Sequence, residues 1–120
     1  MTEAELSHAE FEVIKVLWRA GEPLKIQEIL DRLKSKKWKY NTVGTLLLRM
    51  EEKGAVSGEK QGKAIYYTAL LNEKEYIKEQ TKSFIKRLYN GSAKELAVSL
   101  FKDEEMSDSD ISEIRQMFDL

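Results

Sequence analysis

The chain has 120 residues, 42% of them hydrophobic and 34% charged, with a net charge of −1, an ordinary mixture for one folded domain or a small domain with an appendage. It has no cysteine, which excludes disulfides, thiol catalysis and zinc ribbons, and its single histidine, His8, would need more around it to make a conventional histidine metal site or a Ser-His-Asp triad. No run approaches the roughly 18–20 apolar residues that cross a bilayer, and the acidic N-terminus lacks the apolar core of a secretory signal, so a cytoplasmic protein without membrane insertion is expected.

Ser7 with Glu10 three residues later is a capping-box signature, and Phe11, Ile14, Leu17 and Trp18 follow at helical spacing. Gly21 and Pro23 end that first helix, one as a left-handed cap and the other as a stop. Leu24, Ile26, Ile29, Leu30 and Leu33 predict a second amphipathic helix, closing in Lys34-Ser35-Lys36-Lys37. A third runs from about Asn41 to Lys53, with Gly54 after it and Val43, Leu46, Leu47 and Met50 as its buried stripe. The period then changes. Residues 55–60 and 64–68 read as two short strands around the turn Gln61-Gly62-Lys63. Three helices and a basic hairpin make the winged variant of the helix-turn-helix arrangement.

Beyond Leu70-Leu71-Asn72 come three more capped helices. Asn72 with Glu75 opens one carrying Tyr76, Ile77, Phe84, Ile85, Leu88 and Tyr89. Ser92 with Glu95 opens a short one with Leu96, Ala97, Leu100 and Phe101, and Ser107 with Asp110 opens the last, with Ile111, Ile114, Met117 and Phe118. The expected fold is mainly α with a small β-hairpin: an N-terminal winged helix-turn-helix domain over residues 1–71 and a C-terminal helical domain over residues 72–120. Three apolar stripes on so short a segment are hard to bury alone. They either hold two copies of the chain together or wrap the first domain as extra core; dimerisation is the favoured expectation.

The net charge conceals an asymmetry. Residues 25–63 hold ten Lys or Arg against five Asp or Glu, whereas residues 71–120 hold eight against eleven. A basic module joined to an acidic one points to a polyanion partner for the first. The third helix sharpens this. With its apolar stripe inward, a 100° step points Asn41, Thr45, Leu48 and Glu52 outward, with Thr42 and Arg49 on one flank and Gly44 on the other. Asn, Thr and Arg side chains can hydrogen-bond base edges or phosphates in a major groove. Such residues also occur on ordinary solvated helices, but here Lys36, Lys37 and Lys39 precede them and Lys60 and Lys63 follow near the hairpin tip. Together these bases can straddle a groove and meet the phosphates on each side.

Trp38 is expected to pack as a staple, Tyr40 either to pack or to meet the sugar–phosphate backbone, and one of Tyr66 and Tyr67 to face the core. His8 reads as a surface residue, and Asp103-Glu104-Glu105 as a solvated loop rather than a cation site. There is no glycine-rich phosphate loop, nucleophile elbow or His-Glu-x-x-His motif, and no carboxylate lies in an apolar run that would tune it for acid–base work. No enzyme, metal or cofactor is therefore expected.

The stretches Leu6 to Trp18 and Tyr40 to Gly54, the strand end Tyr66-Tyr67-Thr68-Ala69-Leu70 and the segment Ser83 to Ser92 together resemble the penicillinase-repressor family of winged-helix transcriptional regulators. The resemblance spans nearly the whole chain. It implies a homodimeric repressor whose winged helices each read half of a palindromic operator while the C-terminal helices hold the pair. It also implies a mode of release, in which a membrane sensor's signal leads to proteolysis in the C-terminal domain; the bond in the matching position is Ser99–Leu100. Three departures stand out. Gly44 replaces a long or basic side chain and costs roughly 1 kcal/mol of helix propensity relative to Ala. Leu48 replaces a polar one, and could meet a thymine methyl but not donate a hydrogen bond. The cysteine cluster of copper-responsive members is absent.

The expected DNA-binding set is thus Lys36, Lys39, Tyr40, Asn41, Thr42, Thr45, Arg49, Lys60 and Lys63, the lysines mainly on phosphates. The expected dimer interface is Ile77, Phe84, Ile85, Leu88, Leu96, Leu100, Ile111, Ile114 and Phe118. Expected partners are double-stranded operator DNA, a second copy of the chain and a regulatory protease. The alternative is a winged helix that docks an acidic protein partner and does not read DNA sequence; discrimination between DNA sequences separates the two.

Overall fold

The computed structural model describes residues 5–33, 37–102 and 107–118, the side chains of Phe101, Ile114, Met117 and Phe118 excepted. The elements are α1 (His8–Ala20), α2 (Ile26–Arg32), α3 (Tyr40–Glu52), β1 (Val56–Gln61), β2 (Ala64–Ala69), α4 (Glu73–Tyr89), α5 (Ala93–Phe101) and α6 (Asp108–Phe118). They fall into two compact units, residues 1–76 and 77–120.

In the first unit, α1 starts at the capping box its sequence announces. The Glu10 N–H donates to Ser7 Oγ at 3.2 Å, and the Ser7 N–H donates to Glu10 Oε1 at 2.8 Å. Gly21 ends the helix at φ +66°, its N–H donating to the Leu17 carbonyl. Val13, Ile14 and Leu17 of α1, Ile29 of α2 and Val43, Leu46, Leu47 and Met50 of α3 form one core, completed by Leu6, Leu24, Val56 and Tyr67. Three apolar stripes at helical spacing thus close on one another, and burial of these side chains is the main favourable term of the fold.

The second helix departs from expectation at its start. Leu24 is not helical: its N–H donates to the Tyr67 carbonyl at 3.0 Å, and the Tyr67 N–H donates to the Leu24 carbonyl at 2.8 Å. Both backbone groups of Leu24 are committed to β2, so the residue acts as a one-residue third strand and α2 begins at Ile26. The hairpin itself is antiparallel, with Val56 opposite Ala69 and Gln61 opposite Ala64. Gly62, at φ +66°, takes the first position of the two-residue loop, where a side chain would be strained.

The first turn of α4 packs with the first unit. Tyr76 is buried against Phe11 and Trp18, with ring centroids 6.0 and 6.1 Å away, and its hydroxyl accepts the Leu6 N–H at 3.0 Å. Trp18 Nε1 donates to the Leu71 carbonyl at 2.9 Å. The unit therefore reaches about one helical turn past the Leu70-Leu71-Asn72 junction suggested by the sequence.

In the second unit, Ser92 caps α5 by accepting the Glu95 N–H, and Ser107 and Asp110 cap α6 reciprocally at 3.1 and 3.3 Å. α5 and α6 pack on each other, and the hydroxyls of Tyr89 and Ser99 lie 3.3 Å apart. Among the described residues, no helix is long and apolar enough to cross a membrane.

Candidate nucleic-acid interface

The inward stripe of α3 is buried, so the opposite face must be solvent-facing, and it is. Asn41, Thr42, Thr45, Leu48 and Arg49 are all exposed, Leu48 at 57%. Thr45 Oγ1 donates to the Asn41 carbonyl one turn back at 2.9 Å. Tyr40, the first residue of α3, is half exposed, whereas Trp38 packs against the core as a staple would. Lys39 occupies the N-cap and makes no side-chain capping bond, so the positive end of the α3 dipole is left uncapped at an exposed lysine.

Gly44 does not share this open face. A Cβ built on it would lie 3.6 Å from Ile26 Cδ1, an ordinary van der Waals contact, so the position looks toward α2. A long side chain there would have to bend around Ile26 to reach a ligand.

The hairpin is tied to the end of α3. Glu51 Oε2 accepts the Gly58 N–H at 3.2 Å. Lys60 and Lys63 stand exposed near the tip. Gly58 permits a close approach: a Cβ there would sit 2.9 Å from Tyr67 Cε1 and 3.1 Å from Ile65 Cγ2. Of the two adjacent tyrosines, Tyr67 is the core residue. Burial pushes its phenol above the usual 10.0, helped by the Glu51 carboxylate and Tyr40. Tyr66 lies on the outer side, with Lys25 Nζ 6.0 Å from its ring centroid. Sequence reasoning gave Lys25 no role. The Leu24–Tyr67 bridge is what places it: in an antiparallel pairing, the residue after Leu24 lies beside the residue before Tyr67.

One base counted toward the positive excess is already engaged. Lys53 Nζ lies 2.6 Å from Glu10 Oε1 and also donates to the Glu5 carbonyl at 3.0 Å. Burial alone would raise the Glu10 carboxyl. The hydrogen bond from Lys53, the Ser7 N–H and the lysine's charge outweigh it and hold the group below its usual 4.5.

Lys36 and the Asp103-Glu104-Glu105 run lie outside the described residues, as do the side chains of Ile114 and Phe118. Of the residues expected to join two copies, Ile77, Phe84 and Leu88 are exposed on α4, Leu88 at 57%; Leu96, Leu100 and Ile111 are half-buried. Ile85 is an exception, being buried within the single chain. Ser99 is exposed and Leu100 half-buried, both inside α5. Among the described residues, no group of three or more His, Asp or Glu side chains could hold a metal ion.

The family model described as penicillinase repressor matches residues 6–119. The penicillinase repressor of Bacillus licheniformis is 32% identical over 116 residues, covering 96% of this chain and 90% of that protein. The methicillin resistance regulatory protein MecI of Staphylococcus aureus strain N315 is 28% identical over 114 residues, covering 94% and 92%. Among solved structures, the DNA-binding domain of the repressor BlaI aligns with a TM-score of 0.55 at 34% identity, over 62% of this chain and 92% of that one. The monomeric form of Bacillus licheniformis BlaI in complex with the blaP half-operator aligns with a TM-score of 0.53, at the same identity and coverage.

Proposed function

Because the chain belongs to the penicillinase repressor family, we propose that it is a sequence-specific DNA-binding transcriptional repressor that occupies a palindromic operator as a homodimer. The observation that carries this reading is the outer face of α3. There Asn41, Thr42, Thr45 and Arg49 are all exposed, on a helix whose opposite face is wholly buried and whose end is tied to a lysine-bearing hairpin. Asn41, Thr42, Thr45 and Arg49 would meet base edges or adjacent phosphates. Lys39, Lys60 and Lys63, with Lys36 and Tyr40, would hold the register on the sugar–phosphate backbone.

The second unit serves assembly. Ile77, Thr81, Phe84 and Leu88 recur on α4 at spacings of four, three and four, the period of a seam between helices, and the three apolar members are exposed in the single chain. A second copy is the occupant that a palindromic site calls for, because a two-fold protein matches a two-fold operator. Release by cleavage at Ser99–Leu100 would weaken that assembly, and the bond's helical setting means that α5 must open locally before a protease can act. The protein acts in the cytoplasm, where its operator lies.

The test is selection of genomic fragments by the purified full chain in excess random competitor DNA at about physiological salt. Enrichment of a few palindromic sites supports the reading. Recovery of nothing above background overturns it and leaves a winged helix that docks a protein partner.

A further inference from the structure

The DNA-facing side of α3 carries an apolar feature that hydrogen-bond recognition does not use. Leu48 is 57% exposed, at the centre of the outward arc with Asn41 and Thr45. A leucine so exposed on a helix with a well-filled inner stripe gains nothing from the fold. Thr45, three residues earlier, is its neighbour on the same face. The Thr45 hydroxyl proton is turned back onto the Asn41 carbonyl at 2.9 Å. It therefore offers the groove its methyl group and an acceptor lone pair, not a donor. Gly44 adds no competing side chain, since its free direction faces Ile26. The middle of α3 thus presents a contiguous apolar strip, bordered by Asn41 toward the N-terminus and by Arg49 on the flank.

In the major groove only one base edge carries an apolar group, the C5-methyl of thymine. We infer that Leu48 and the Thr45 methyl form a thymine-methyl reading pocket, making Leu48 a specificity-determining residue that selects T·A pairs at one or two positions of each half-site. This rests on the DNA-reading function proposed above. The expected contribution of each contact is that of burying about one methyl group, roughly a fourfold change in affinity.

The experiment uses the full chain and a duplex recovered by the genomic selection, in which each thymine is replaced singly by deoxyuridine. That substitution deletes the methyl group and leaves every hydrogen-bonding atom in place. Wild-type protein is expected to lose about fourfold in affinity at one or two positions per half-site and nothing elsewhere. Leu48→Ala, at an exposed position that leaves the core intact, is expected to bind the thymine and deoxyuridine duplexes equally at those positions. Thr45→Ser, which keeps the hydroxyl and removes the methyl, is expected to lose part of the same sensitivity. Indifference of the wild type to every replacement on a specifically bound duplex overturns this inference alone, as does a Leu48→Ala protein that keeps the full penalty. A selection that enriches no sequence overturns the DNA-reading function and this inference together.

Discussion

Lys53 Nζ, just past the end of α3, lies 2.6 Å from Glu10 Oε1 in the first turn of α1, and Glu10 is only 2% exposed. The pair clamps the C-terminal end of the proposed recognition helix to the helix that starts the fold. It also joins two roles in one carboxylate, since Glu10 Oε1 closes the capping box with the Ser7 N–H. A charge so buried persists only because its partners are in place.

Replacing Lys53 by Met should cost about 1–3 kcal/mol, because the carboxylate would stay buried without its cation. Solvent reaches part of Lys53, which keeps the figure below that of a fully enclosed pair. The same pair predicts a pH dependence. The folded-state carboxyl is held below 4.5, so its contribution is present above that value and is lost as pH falls through the lower, folded-state one. In urea unfolding, the stability gap between wild type and Glu10→Gln should be full at neutral pH and should narrow below about pH 4. A gap unchanged down to pH 3 would show that the pair does not carry this term.

Two glycines should respond to alanine with opposite signs. At Gly44 the new methyl would meet Ile26 at an ordinary distance, so Gly44→Ala should stabilise by up to about 1 kcal/mol through helix propensity. At Gly58 the new methyl would sit 2.9 Å from the ring of buried Tyr67, which cannot yield without disturbing the core. Gly58→Ala should destabilise by about 1–3 kcal/mol. Thermal unfolding followed by circular dichroism measures both, and a fall in Tm for Gly44→Ala would contradict the orientation described for that residue.

Arg49 and Lys63 should differ in kind, not only in size. Arg49→Ala should lower affinity for the selected operator by about 1–3 kcal/mol and relax the preference at one base position. Lys63→Ala should weaken binding to all duplexes alike and reduce the slope of log affinity against log salt by about one. Binding isotherms on operator and scrambled duplexes across a salt series separate the two, and equal behaviour of the variants would sink the assignment of base reading to α3.

Phe84→Asp places a charge in the middle of the exposed α4 seam. Sedimentation should show a dimer for the wild type and a monomer for the variant, and affinity for the full palindrome should fall while affinity for an isolated half-site is retained. A dimer that survives this change would remove α4 from the interface.

Local chemistry was legible from the residues alone. The Ser7–Glu10, Ser92–Glu95 and Ser107–Asp110 caps each act across three residues, and the stripe of α3 repeats within two turns, so the elements and the outward set Asn41, Thr45 and Leu48 could be read without any long-range contact. Helical period fixes which side chains share a face whatever that face later meets. Tertiary structure decided what depends on segments meeting from afar. Leu24 left its helix because Tyr67 offered both backbone partners, and that pairing brought Lys25 to Tyr66. Lys53, counted in the basic excess, is already engaged because Glu10, 43 residues away, holds its ammonium. Gly44 turned from the open face because Ile26 packs beneath it. Tyr76 joined the first unit because the Leu6 N–H, 70 residues distant in the chain, donates to its hydroxyl. A side chain's spacing tells which way it points, but only the folded chain decides whether another group is already there to engage it.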